Sequence, residues 1–255
     1  MRKKRILALI PARLKSKRLP IKAILPIEKI PMVIHVYQRA LLSKKIHDVL
    51  ICTCDQKILS VSNNYRAKAI LTSKKHVNGT ERICEAYKKI KKNFDLIIDI
   101  QGDEPLINPH HIDQVIDCHL KNFDADIILP NIKIKPQNNK NIVKLVANKK
   151  NEVLYLSRAD IPINFKKKVK TVKKHLSIIS FKPSALLKFA KTKISEIEKI
   201  EGVELLRALE IGLKIKTITL DGDSFSVDVM KDYNKAKKQM KYDKFFKLYK
   251  NNFKK

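Results

Sequence analysis

The chain has 255 residues, 44% hydrophobic and 31% charged, which suits one large domain or two small ones and argues against a disordered chain. No apolar run approaches the roughly 18 residues of a membrane span, and four cysteines are too few for a disulfide framework, so reduced thiols and a cytoplasmic protein are expected. The net charge of +30 invites an anionic partner; Lys far outnumbers Arg and is spread along the chain, so solvated faces explain it better than a nucleic-acid surface. Residues 5–10 form a short apolar run ended by Pro11, which reads as a first strand rather than a signal peptide. Residues 31–42 predict a helix with Pro in its first turn, and 48–54 a second strand. A helix over 55–66 and a short strand over 69–71 follow. Ile83, Ala86, Tyr87 and Ile90 are spaced for a helix over 80–90. A strand at 95–100 and a helix at 109–120 complete a βαβαβ order, hence a mostly parallel twisted sheet with helices on both faces, Rossmann-like in class.

From about residue 126 the pattern becomes strand-rich, through DIILPN, IVKLVA, EVLYLS and HLSIISF. A helix at 204–211, a strand in LKIKTITL, the loop DGDSFSVD and a C-terminal helix close the chain. The expected organisation is one domain over 1–255, with an inserted strand-rich lobe at about 132–202 and a basic C-terminal helix at about 230–255. In that last helix Tyr242, Phe245, Phe246, Tyr249 and Phe253 fall on one stripe, with lysines outside. The stripe packs on the body, or else the basic tail makes a weak membrane-surface contact.

In an open α/β sheet, ligands bind beyond the carboxyl ends of the strands. Strand one runs into a loop with five cations between Arg13 and Lys22, stiffened by two prolines in the stretch from Pro11 to Pro20. Such a loop can wrap a polyphosphate. Neither a P-loop nor a G-x-G-x-x-G motif is present. The strand at 95–100 runs into Gln101-Gly102-Asp103-Glu104-Pro105, where Asp103 is placed to hold Mg²⁺ beside a polyphosphate and Glu104 to stabilise the turn. Asp228, after SFSV, stands at a strand end near Asp103 or else caps the last helix.

These residues carry a resemblance. IPARLKSKRLPIK, HVNGTERICEA, DIQGDEPLI, NIVKLV, LYLSRADIP, KHLSIISF and FSVDVMKDYNKA occur in the order and spacing of the 3-deoxy-manno-octulosonate (Kdo) cytidylyltransferases, over about residues 5–240. The resemblance implies a nucleotide-diphospho-sugar transferase-like fold and transfer of CMP from CTP to the anomeric hydroxyl of a 3-deoxy-ulosonic acid, with release of pyrophosphate. It further implies Mg²⁺, a homodimer, and a product used in lipopolysaccharide synthesis. By motif, Arg13, Arg18 and Lys22 hold the triphosphate and act with Asp103 in catalysis. Ala12, Ser16, Thr80, Arg82 and Gln101 fall in nucleotide-side segments, and Asp103 and Asp228 ligate the metal. Arg158, His175 and Glu204 match the sugar-side positions, with His175 opening a strand.

Departures cluster around the sugar and the first loop. Ile21 stands where the family has Gly, Ser177 and Ile179 replace Gly and Tyr, Leu205 replaces Gln, and Ser226 replaces Gly. Lost polar partners alter substrate discrimination more than transfer chemistry. The acid is therefore Kdo, its 8-amino analogue, or a sialic-acid-like nonulosonate. A basic nucleic-acid-binding protein is the remote alternative.

Overall fold

The computed structural model describes residues 4–16, 18–222 and 224–253. Lys17, one of the five cations of the first loop, Asp223 of the DGDSFSVD loop, and the first three and last two residues lie outside them. The chain forms two compact units, one of residues 1–113 and 224–255, the other of residues 114–223.

In the first unit, β1 (Ile6–Ala12) is buried along its whole length. It runs parallel to β4 (Asp48–Thr53) on one side and β6 (Leu96–Ile100) on the other, and β5 (Ala69–Leu71) extends β4. A strand covered on both faces reads as a continuous apolar run, and Leu7, Ala8, Leu9 and Ile10 are fully buried. Each such Leu or Ile is worth roughly 1.5–3 kcal/mol of burial. Between β1 and β4 lie a 3-10 turn (Lys22–Ile24), a two-residue hairpin of β2 (Pro26–Ile27) and β3 (Ile30–Pro31), and α1 (Met32–Leu41). Helix α2 (Gln56–Asn64) joins β4 to β5, and α3 (Gly79–Ile90) precedes β6. Asn78 caps α3, its side chain accepting from the Glu81 N–H at 2.9 Å, which satisfies one of the helix's orphan donors.

Helix α4 (Pro109–Lys121) leads into the second unit, which is largely antiparallel. Its centre is β7 (Ile127–Ile134), and β8 (Lys144–Ala147) pairs with β9 (Val153–Ser157). Strand β10 (Val172–His175) lies between β7 and β8, and β11 (Ile178–Phe181) pairs with the first residues of β7. The run 175–181 is thus two strands: Leu176 N–H donates to Pro130 O at 3.0 Å between them. His175 closes β10 and does not open the following strand, which corrects the sequence expectation. Helices α5 (Pro183–Lys191), α6 (Glu196–Glu201) and α7 (Leu205–Glu210) precede β12 (Ile215–Thr219), which runs parallel to β7.

The chain returns to the first unit with α8 (Met230–Met240) and the short α9 (Phe246–Tyr249), followed by a 3-10 turn at Lys250–Phe253. The expected single C-terminal helix is broken at 241–245. Asp243 causes the restart, its carboxylate accepting from the Phe246 N–H at 2.6 Å and pairing with buried Arg39. Tyr242 is consequently exposed, while Phe246 and Tyr249 are buried. Tyr249 and Ile27 hold His35 of α1: Nε2 donates to Ile27 O at 2.9 Å, so Nδ1 accepts from the Tyr249 hydroxyl at 2.8 Å. Among the described residues no helix is long and apolar enough to cross a membrane.

Candidate active site

The carboxyl ends of β1 and β6 are neighbours in one sheet, so the segments leaving them start side by side. After β1 the chain makes a loop closed at its neck by Ile21 N–H donating to Leu14 O at 3.0 Å. Asp55, just past β4, accepts from the Leu14 N–H at 2.8 Å and anchors the loop from the next strand. Leu19 is buried, whereas Arg13 and Arg18 are exposed, so an apolar residue anchors the loop while its two arginines remain accessible from solvent. Ala12 is the last buried residue of β1, and Ser16 is half-buried. Ile21 adopts φ 52° and ψ 18°, a left-handed conformation that L-residues other than Gly, Asn and Asp rarely take. The Gly expected from the family would enter that region without a Cβ clash.

After β6 the chain passes through Gly102, where a Cβ would lie 2.8 Å from Pro11 O, so only Gly lets the two strand ends approach. Asp103 follows. Its Oδ2 accepts from Lys22 Nζ at 2.7 Å, and the same Nζ donates to Asp228 Oδ1 at 3.1 Å and to Val227 O at 3.1 Å. Arg18 pairs with Asp228 at 3.0 Å. The segment carrying Asp228 is no strand. It is tied in by Val227 N–H to Asp103 O at 2.8 Å, and by Ser224 and Ser226, whose hydroxyls donate to buried Glu104 at 2.6 and 3.1 Å. Glu104 therefore holds the distant segment as well as its own turn. The N-cap position of α8 is Val229, and Asp232 in the first turn accepts from the Asp228 and Val229 N–H groups, leaving the Asp228 carboxylate to the cations.

Burial works to lower the Lys22 pKa, but the charges and hydrogen bonds of Asp103 and Asp228 outweigh it, and the net shift is upward. Lys22 is thus a firmly charged ammonium between two carboxylates. The donor set suits Mg²⁺, which is commonly bound by one or two carboxylates together with substrate phosphates. No group of three or more His, Cys, Asp and Glu able to hold a metal occurs among the described residues. The site matches that sparse pattern rather than an all-protein cage.

The residues of α3 and of the turn after β6 that the motifs assign to a nucleotide are buried or braced. Thr80 is buried. Arg82, also buried, donates to Thr72 Oγ1 at 2.7 Å and Ser73 O at 3.3 Å, fixing the turn before α3. Gln101 Nε2 donates to both oxygens of Asp99, at 3.0 and 2.9 Å. Asp55, Glu104, Ser224 and Ser226 were not assigned to the site from sequence. The position of Asp55 at a strand end and of Glu104 beside Asp103 were the available signals.

The remaining three residues belong to the second unit. Arg158 gives three of its donors to main-chain carbonyls, Glu201 O at 2.8 Å, Lys140 O at 2.9 Å and Gly202 O at 3.0 Å, which leaves two N–H groups without a partner among the described residues. Glu201 grips the preceding motif, accepting from Ser157 Oγ at 2.7 Å and Arg158 N–H at 3.0 Å. Desolvation lowers the His175 pKa to about 4, so the ring is neutral near pH 7 and can serve a ligand by hydrogen bonding rather than by charge. Glu204 sits at the N-cap of α7.

A parallel sheet whose carboxyl edge joins a cationic loop to a carboxylate pair defines an α/β nucleotidyltransferase-type protein. The cytidylyltransferase family model matches residues 7–215, and the chain belongs to that family. It is 38% identical to a 3-deoxy-manno-octulosonate cytidylyltransferase of Thermodesulfovibrio yellowstonii, over 91% of this chain and 96% of that protein. It is 37% identical to an 8-amino-3,8-dideoxy-manno-octulosonate cytidylyltransferase of Shewanella halifaxensis, over 88% of this chain and 94% of that protein. Among solved structures, CMP:2-keto-3-deoxy-manno-octonic acid synthetase complexed with CTP matches at TM-score 0.88 and 29% identity, covering 93% of this chain and 99% of that one.

Proposed function

We propose that the protein transfers CMP from CTP to the anomeric hydroxyl of Kdo. The hydroxyl oxygen attacks the α-phosphorus and loses its proton to solvent water, the bond from that phosphorus to the β-phosphate oxygen breaks, and pyrophosphate leaves. The observation that carries this reading is the meeting of Lys22, Arg18, Asp103 and Asp228 at the carboxyl edge of the first unit. The relatives whose names specify this transfer support it.

The transfer needs alignment and charge neutralisation more than covalent chemistry. Arg13, Arg18 and Lys22 supply up to three positive charges to the triphosphate and its departing pyrophosphate. Asp103 and Asp228 would hold Mg²⁺, which when bound supplies charge neutralisation and an acidified hydroxyl. Ala12, Ser16, Thr80, Arg82 and Gln101 shape the nucleotide side. In the second unit, Arg158 with its two remaining donors, His175 as a neutral hydrogen-bonding partner, and Glu204 serve the acid. The active form is a cytoplasmic homodimer, organised as a catalytic domain with an inserted lobe, and its product feeds lipopolysaccharide synthesis.

The 8-amino sugar is the second reading, favoured by the Shewanella relative and by the departures at Ser177, Ile179 and Leu205. Pyrophosphate release with CTP, Mg²⁺ and a panel of ulosonic acids tests both. Kdo turned over far faster than its analogues supports the first. Preference for the 8-amino acid selects the second, and no turnover of any acid ends both.

A further inference from the structure

In the second unit the segment INFKKKVK, residues 163–170, connects β9 to β10, and the transfer reading gives it no role. The chain folds back on itself there. Asn164 Oδ1 accepts from the Val169 N–H at 2.5 Å, and the Phe165 N–H donates to Ile163 O at 3.1 Å. The turn so closed carries Phe165, Lys166, Lys167 and Lys168 at its tip, all exposed. Phe165 is 84% exposed and Ile163 73%, so folding buries little of either. Single apolar residues on a surface are ordinary. Here two are set among lysines, with exposed Lys170 beside them, and no Asp or Glu occurs from Ile161 to His175. The carboxylate just before, Asp160, is taken up by Lys144 and by the Gln137 and Asn138 N–H groups. Exposed Lys135 adds a further cation. It leaves β7 at the end where the segment enters β10, because Ile134 lies opposite Val172.

We infer that this tip is a membrane-surface contact, in which Ile163 and Phe165 enter the headgroup–acyl boundary of a bilayer bearing anionic lipids and the lysines meet its phosphates. Aromatic and aliphatic side chains beside lysines suit such a boundary. Lysine stems lie along apolar surface while their ammoniums reach the headgroups, and a polybasic segment is drawn to an anionic leaflet. A second copy of the chain fits less well. A two-fold contact sets a patch against itself, here lysines against lysines, and Lys is depleted from interface cores. A nucleic acid would leave both apolar side chains unused, and residues 161–175 hold no Arg to grip phosphates and bases. The contact holds whichever acid is transferred, and vesicle binding needs no turnover, so it stands or falls apart from the transfer reading.

The chain has no tryptophan, so Phe165→Trp places a single reporter at the tip of the full-length protein. On vesicles of phosphatidylglycerol and phosphatidylcholine its emission should shift to the blue and be quenched by brominated acyl chains. Vesicles of phosphatidylcholine alone should leave it unchanged. In co-sedimentation with the mixed vesicles, I163S/F165S, which keeps every charge, should lower the partition coefficient about tenfold. K166Q/K167Q should weaken binding more than K237Q/K238Q, an equal loss of charge at exposed positions of α8. Binding without a blue shift, I163S/F165S binding like wild type, or equal weakening by the two lysine pairs overturns the inference and leaves only attraction by overall charge. Emission already blue in buffer and dependent on protein concentration assigns the tip to a second copy, and a shift produced equally by single-stranded DNA assigns it to nucleic acid. Either result overturns the inference. Should I163S/F165S fold poorly, the Phe165→Trp emission decides alone.

Discussion

Two lysines, one in each unit, show how the same side chain serves opposite ends. Lys22 is 16% exposed and its partners are mainly two carboxylates on separate segments, Asp103 and Asp228. Lys144 is 1% exposed and is bound by the carbonyls of Asn139 at 3.0 Å, Ile142 at 2.9 Å and Arg158, with Asp160 at 3.3 Å. Carboxylates can exchange one cation for another, whereas the main-chain carbonyls around Lys144 are fixed in place by the turns of a small sheet. The first arrangement suits a site that must admit a charged ligand. The second holds together the ends of β8 and β9. Net charge therefore says little about where a basic protein acts; the kind of acceptor around each cation says more.

The comparison breaks most sharply at Asp103. On the proposed reading, replacing it with Ala removes a carboxylate beside the transferring group, and a loss of about 100-fold or more in kcat is expected, with melting temperature close to wild type. Pyrophosphate release and circular dichroism together check this. Turnover within a few-fold of wild type would take Asp103 out of the machinery.

Lys144→Met should do the reverse, harming the fold first. Three carbonyls and one carboxylate lose their shared donor, and a cost of about 2–4 kcal/mol is expected in urea denaturation. A midpoint unchanged from wild type would mean that water replaces the ammonium freely, and the contrast with Lys22 would collapse.

Much of this arrangement is legible in the amino-acid sequence. The all-apolar run of β1, the spacing of α3 and the loops that follow β1 and β6 put the cationic and acidic segments on one sheet edge, and the structure joins them through Lys22. What could not be read depends on partners far away in sequence. Lys144 looks like any other lysine until the 139–142 and 158–160 segments surround it. The single apolar stretch 175–181 gives no sign that it pairs with β7 twice, as β10 and again as β11. The C-terminal aromatic stripe has helical spacing throughout, yet Asp243 finds Arg39 and restarts the helix. Helix α5, in PSALLKFAK, was missed among neighbouring strand-like runs, although Pro at its start is an ordinary helix signal.

Both units carry a buried neutral histidine, which makes acid a probe common to the two. His35 in the first unit and His119 in the second are fully buried, and desolvation lowers each pKa from 6.5 to about 4. As pH falls below about 6.5 the unfolded chain takes up a proton that the folded chain refuses until about pH 4. Stability is thus fully present above the unfolded value and is lost progressively over that window, by up to about 3 kcal/mol for each ring. Urea midpoints measured from pH 7 to 4.5 should fall. In H119Q the fall should be shallower, since Gln can still donate to Ala125 O and meet Ser180 while having no proton to gain. An identical slope in H119Q would show that His119 is not held neutral.

The smallest expected effect lies in the cationic loop, at the residue that replaces the family's usual Gly. Ile21 is 44% exposed, so its side chain contributes little burial, and its backbone pays for φ 52°. A left-handed conformation costs an L-residue about 1–2 kcal/mol. Gly escapes that cost but gives back part of it by enlarging the freedom of the unfolded chain. Comparing I21G with I21A separates the two contributions, because both remove the same exposed side chain. In an ordinary helical position Ala is the more stable by up to about 1 kcal/mol. At a positive φ the order should invert, with I21G more stable than I21A by about 1 kcal/mol in urea denaturation. I21A equal to or above I21G would mean that residue 21 does not keep its left-handed turn, and that the neck of the loop closes by some means other than the Ile21 N–H to Leu14 O bond.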